Sequence, residues 1–283
     1  MLTETDLRLP DGRTLHVYDT APDAGPDRLV VVWHHGTPNT GPPPEPLLPA
    51  RRTHGVRWIG YDRPGYGGSS PHPGRDVAAA ARDVAAIADS LGIAKLVVMG
   101  HSGGATHALA SAALSPDRVL AAVAVSGLAP YDAPGLDWYA GMGPAGAAEL
   151  RAASHGASAL HSVLASSPWD PEQFTPADHA ALAGPWSWLN GIAALGAQSG
   201  LGPMVDDDLA YVSPWGFDPM QVTVPVLLVH GEVDRVVPSA HARWLAVRMP
   251  TAELWLSPGD GHISVLREGE RALDWLVRHA GGR

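Results

Sequence analysis

The run Gly100-His101-Ser102-Gly103-Gly104 sets one serine among very small neighbours. It comes directly after the apolar stretch Lys95-Leu96-Val97-Val98-Met99 and directly before the small-residue stretch Ala105 to Leu114. A strand-to-helix turn this tight forces the serine into a sparsely populated backbone conformation, at about 1–3 kcal/mol. The residues two before and two after it must then be tiny, and both are glycine. The result is a hydroxyl standing clear of a sheet edge, at the start of a helix whose dipole favours developing negative charge. That is an arrangement for nucleophilic attack.

A serine hydroxyl attacks only if a base takes its proton in the transition state. Of the fourteen histidines, His262 in Gly259-Asp260-Gly261-His262 has the right context, a loop between the last apolar strand and the final helix. His101 and His107 belong to the turn and its helix and point elsewhere, and His16, His54, His72 and His279 read as solvated. The base needs an acid to fix its tautomer and stabilise the imidazolium. Asp234 follows the penultimate strand at the same sheet edge, with Glu232 and Asp260 as rivals. A tetrahedral oxyanion needs two donors, each worth about 2.7–4 kcal/mol. The Gly103 N–H supplies one. The loop His34-His35-Gly36-Thr37-Pro38 supplies the other, with the Thr37 N–H as candidate. His34 and His35 find no third ligand at a usual spacing, so no metal site and no cofactor are expected.

Groups brought in from such distant positions need a scaffold with one functional edge. Continuous apolar runs, the mark of strands covered on both faces, occur at Leu29–Trp33, Val56–Ile59, Lys95–Met99, Val119–Val125, Val226–Val229 and Leu254–Leu256. Leu15–Tyr18 beside the Asp11-Gly12 turn predicts an opening antiparallel hairpin. Helical spacing is predicted over Asp76–Leu91, Ala105–Leu114, Ala240–Val247 and Glu268–His279. Strands alternating with helices imply a mostly parallel sheet, with ligands at the carboxyl ends of its strands.

From Pro130 to Gly216 the strand runs vanish and short helical segments replace them, one opening at Thr175-Pro176-Ala177-Asp178. The chain therefore divides into an α/β core, 1–129 and 217–283, and a helical cap, 130–216. The cap holds Trp138, Trp169, Trp186, Trp188 and Trp215. Trp138, Trp186 and Trp188 are the candidates for lining a substrate pocket; packing of the cap itself accounts for the same rings.

A net charge of −10, relieved by no basic run beyond Arg51-Arg52, opposes a nucleic-acid partner. The absence of cysteine removes thiolate nucleophiles, disulfides and Cys-based metal sites. No apolar stretch approaches a membrane span, and no signal peptide is evident at Met1–Asp6. The expectation is a cytoplasmic protein acting on a small molecule.

The chain resembles α/β-hydrolase-fold serine hydrolases with a helical cap. The likeness rests on His35-Gly36-Thr37-Pro38, Asp62-Arg63-Pro64-Gly65-Tyr66-Gly67-Gly68-Ser69, the Ser102 elbow, Gly231-Glu232-Val233-Asp234 and Gly261-His262. It implies an eight-stranded, mostly parallel sheet flanked by helices, a cap inserted after the sixth strand, and an architectural role for Asp62–Ser69. Ser102 stands where haloalkane dehalogenases and epoxide hydrolases carry aspartate. The expected activity is hydrolysis of a small, apolar carboxylic ester or lactone. The alternatives are a proline-iminopeptidase-like aminopeptidase, which would use a cap carboxylate among Glu149, Glu172 and Asp206–Asp208; a C–C bond hydrolase or cofactor-free haloperoxidase; and a ligand sensor with a slow triad.

Overall fold

The computed structural model describes residues 2–25, 28–49, 55–167 and 170–281. Trp169, His54 and the Arg51-Arg52 pair lie outside the described residues. Eight strands form one sheet: β1 (Thr3–Arg8), β2 (Thr14–Asp19), β3 (Val30–His34), β4 (Arg57–Tyr61), β5 (Leu96–His101), β6 (Val119–Val125), β7 (Val226–Gly231) and β8 (Ala252–Ser257). Their spatial order is β1-β2-β4-β3-β5-β6-β7-β8. The β1–β2 and β2–β4 pairs are antiparallel and the rest are parallel. The expected opening hairpin turns at Gly12, whose φ of 88° suits glycine.

The central strands are apolar throughout because both of their faces are covered. Val30, Val32, Leu96, Val98, Ala122, Ala124, Val226 and Leu228 point into one apolar cluster. Their alternates Val31, Trp33, Val97, Met99, Ala121, Val123, Leu227 and Val229 point into another. Helices α1 (Ala79–Ser90), α2 (Gly103–Leu114) and α8 (Ala240–Arg248) cover the first face, and α9 (Gly269–Ala280) the second. Periodicity over Asp76–Leu91 overran the true start of α1. Asp76 instead accepts from the Ala79 N–H at 2.8 Å and closes a turn ahead of the helix.

Between β6 and β7 lie α3 (Pro144–Ser154), α4 (Ala157–Ser166), α5 (Pro176–Ala183), α6 (Trp188–Ala197) and α7 (Gly202–Tyr211). The opening of α5 was legible: Thr175 and Asp178 form a reciprocal capping box with Pro176 at the first helical position.

Candidate active site

Ser102 caps α2 directly after β5, with φ 57° and ψ −129°. A Cβ at Gly100 would lie 2.1 Å from the Gly104 carbonyl oxygen, and one at Gly104 would lie 2.0 Å from the His34 carbonyl oxygen. The turn therefore closes only with glycine at both places. Ser102 keeps some solvent contact while its neighbours at 101 and 103 are buried.

His262 and Asp234, 28 positions apart, meet at the carboxyl ends of the strands, with the His262 ring 4.9 Å from the ring of His101, the residue before Ser102. Nδ1 of His262 lies 2.8 Å from Oδ2 of Asp234, and both groups are buried. Oδ1 of Asp234 accepts from the Val236 and Val237 N–H groups at 2.9 Å each. Burial pushes this carboxyl upward, but the His262 imidazole and donation from His230 and His262 outweigh it and hold it below the usual carboxylate range. The ionised carboxylate fixes the proton of His262 on Nδ1 and leaves Nε2 as an acceptor. The rivals are engaged elsewhere: Glu232 is exposed and pairs with Arg243 at 2.9 Å, and Asp260 pairs with Arg267 at 2.8 Å. His101 donates from Nε2 to the His262 carbonyl at 2.9 Å, and burial beside His262 pushes its imidazole down to about 3.

The Thr37 loop is tied to the helical insertion through Asp207 of α7, which has no solvent contact. Asp207 accepts from Thr37 Oγ1 at 2.7 Å, Tyr66 Oη at 3.0 Å, Arg75 at 2.8 Å and Arg63 at 2.6 Å. Burial opposes its ionisation, but the Arg63 and Arg75 guanidiniums hold its carboxyl well below the ordinary range. Since that carboxylate only accepts, Thr37 must donate to it. Thr37 Oγ1 then accepts from Arg63 at 3.1 Å and from Tyr211 Oη at 3.0 Å, which uses every site the hydroxyl offers. The Tyr211 hydroxyl also covers Gly103, where a Cβ would lie 2.0 Å from its oxygen.

Residues 30–268 match the family described as the alpha/beta hydrolase fold. The chain belongs to the α/β-hydrolase family. A non-heme chloroperoxidase of Streptomyces lividans is 33% identical over 240 residues, covering 82% of this chain and 83% of that protein. Among solved structures, a bromoperoxidase from Bacillus anthracis superposes with a TM-score of 0.73 at 22% identity, over 98% of this chain and all of that one. An enol-lactonase from Burkholderia xenovorans gives 0.71 at 19% identity, over 98% and 100%. These two likenesses concern the fold.

Several residues of this α/β hydrolase differ from their sequence reading. The acidic run Asp206–Asp208 reads as a solvated surface, yet Asp207 and Asp208 are buried. Their partners stand more than 130 positions away or on another helix, so no local spacing announces them. Asp208 neighbours the half-buried Glu149 of α3. Burial and then the neighbouring Glu149 push the Asp208 carboxyl well above the usual range, and burial raises Glu149 too. Glu172 is exposed. Arg63 and Tyr66, expected to be purely architectural, also join the Asp207 network, while Asp62 does hold its turn through the Gly41 and Gly68 N–H groups.

Trp138 is buried, donates Nε1 to the Ala129 carbonyl at 2.9 Å, and meets Tyr131, Tyr139 and His241 edge-on. It shares an apolar cluster with Tyr211, Leu128 and Val237. Trp186 and Trp188 pack in another with Ile263, the neighbour of His262. His35 uses both ring nitrogens, Nδ1 toward the Gly36 carbonyl and Nε2 accepting from the Arg63 N–H. Among the described residues no group of three or more His, Asp or Glu is placed to hold a metal ion. Among those residues no helix is long and apolar enough to cross a membrane.

Proposed function

We propose that the protein is a serine hydrolase that cleaves a small, apolar carboxylic ester or lactone through an acyl-serine intermediate. The observation that carries this reading is the 2.8 Å contact of Asp234 with Nδ1 of His262, which leaves Nε2 of that ring as the acceptor. Ser102 attacks the acyl carbon while His262 takes its proton at Nε2. His262 then returns that proton to the leaving alcohol oxygen, and the acyl–serine bond replaces the ester bond. Water, deprotonated by the same imidazole, hydrolyses the acyl-enzyme and regenerates the Ser102 hydroxyl. The Thr37 and Gly103 N–H groups hold the oxyanion, on a loop that Asp207 and Arg63 keep in place. The helical cap, residues 130–216, closes over this site, with Trp138, Trp186 and Trp188 as the aromatic part of its wall.

Turnover of p-nitrophenyl acetate by wild type and Ser102→Ala tests the proposal. Loss of turnover and of phosphonate labelling in the variant is expected; equal rates in both proteins end the reading. A second reading follows from the likeness to a chloroperoxidase over four-fifths of the chain. Hydrogen peroxide attacking the acyl-enzyme in place of water would release a peracid, and the peracid would oxidise halide. Halogenation that needs acetate and peroxide and vanishes with Ser102→Ala would establish it; no halogenation under those conditions removes it.

A further inference from the structure

Asp178 lies on α5 of the insertion, the third residue of a helix whose capping box needs its side chain only for the Thr175 N–H. Its carboxylate does far more. Oδ2 accepts from the Thr175 N–H and Thr175 Oγ1 at 2.9 Å each, and from the His262 N–H at 3.2 Å. Oδ1 accepts from the Ile263 N–H at 2.9 Å, the Ser264 N–H at 2.8 Å and Ser264 Oγ at 2.8 Å. The group has no solvent contact, and a Cβ on Gly261 would lie 2.1 Å from Oδ2. Three successive main-chain donors of the histidine loop therefore end on one side chain from a different part of the fold, more than 80 positions away. On the opposite side His101 holds the His262 carbonyl. Main chain and Nδ1 of His262 are thus fixed at three points, and only Nε2 is left for chemistry.

We infer that Asp178 is a positioning residue for His262. Its carboxylate holds the main chain of residues 262–264, so the imidazole stands ready only while α5 is seated on the loop. The inference rests on the reading of His262 as the proton shuttle. An amide cannot take the place of the carboxylate. Whichever oxygen became an NH2 would point a donor at three donors, so the loop would shift although the side chain kept its shape. A displacement of about 1 Å at a proton-transfer group costs on the order of 10²-fold in rate.

The test compares wild type, Asp178→Asn, Asp178→Glu, Thr175→Ala and His262→Ala in hydrolysis of p-nitrophenyl acetate. It reads kcat, KM and Tm. Asp178→Asn is expected to lower kcat about 10²-fold with KM little changed. Thr175→Ala loses the capping hydroxyl and leaves the contacts to residues 262–264, so Tm falls while kcat stays as in wild type. Wild-type kcat in Asp178→Asn overturns the inference, as does a Thr175→Ala variant that reproduces the kinetic loss. Should Asp178→Asn not fold, Asp178→Glu decides, since it keeps the charge and displaces both acceptor oxygens. A lowered kcat at unchanged KM supports the role, and a wild-type kcat refutes it. Full activity in His262→Ala would instead end the triad reading, so the two failures are distinguishable.

Discussion

Asp207 and Arg63 meet at 2.6 Å across the junction between the helical insertion and the sheet, both shut off from solvent. Arg75 completes a triad in which two guanidiniums face one carboxylate. Ion pairs of this kind give little net stability over an apolar replacement, but removing one member leaves the others charged and unpaired. Asp207→Asn keeps the shape and strands Arg63, while Arg75 keeps its pair with Asp206 at 3.1 Å. Urea denaturation is expected to show a loss of about 3–5 kcal/mol. A loss within the range of an ordinary surface substitution would mean that water reaches the site.

Asp234 is placed to orient His262 and to stabilise its charged form. Asp234→Asn keeps the two bonds from Val236 and Val237 but offers no carboxylate to Nδ1, so the wrong tautomer is favoured. The expected outcome is a fall in kcat on the order of 10⁴-fold. Glu232→Gln, which loses only a surface pair with Arg243, should retain wild-type kcat. Reversal of these two results in an ester assay would move the acid to Glu232.

Asp208 and Glu149 give the protein a pH dependence of its own. A carboxyl whose folded pKa is raised holds its proton more tightly folded than unfolded. Its stabilising contribution is complete at acidic pH and is lost as pH climbs above the ordinary carboxylate range toward the raised value. Asp208→Asn removes the titration while keeping a neutral side chain beside Glu149. The Tm difference between variant and wild type should therefore shift in the variant's favour as pH rises. A difference independent of pH would contradict the buried, proton-holding pair.

Glycines on the elbow and in the insertion should respond in opposite ways. Gly104→Ala drives a methyl into the His34 carbonyl at 2.0 Å, with main chain on both sides and nothing free to yield. No folded, soluble protein is expected. Gly191 lies exposed inside α6 with nothing within 4 Å of an added Cβ. Gly191→Ala should stabilise by about 0.4–1 kcal/mol through a less disordered unfolded chain. Thermal melts of the two variants check both statements.

The sheet and the elbow were readable because their signals are local. A strand covered on both faces must be apolar along its length, and a serine at φ 57° must have glycine around it. The pairing of His262 with Asp234 was readable because both follow strands that end at one edge. Asp178 and Asp207 were not readable. One looks like a helix cap and the other like part of a solvated acidic run, and their remote partners become neighbours only after the chain folds. Arg63 hid for the same reason, since the one acid of its turn, Asp62, is taken up by the Gly41 and Gly68 N–H groups.

The strand order distributes mechanical risk unevenly. The Thr37 loop and the elbow leave β3 and β5, which are hydrogen-bonded neighbours, so one interstrand rotation separates them. The histidine loop leaves β8, three rotations from β5, and each neighbouring strand turns by roughly 20–25°. Any flexing of the twist therefore adds up toward His262 while the spacing between Thr37 and Gly103 barely changes. Heating that loosens the sheet should disturb proton exchange well before it disturbs the cradle for the substrate oxygen.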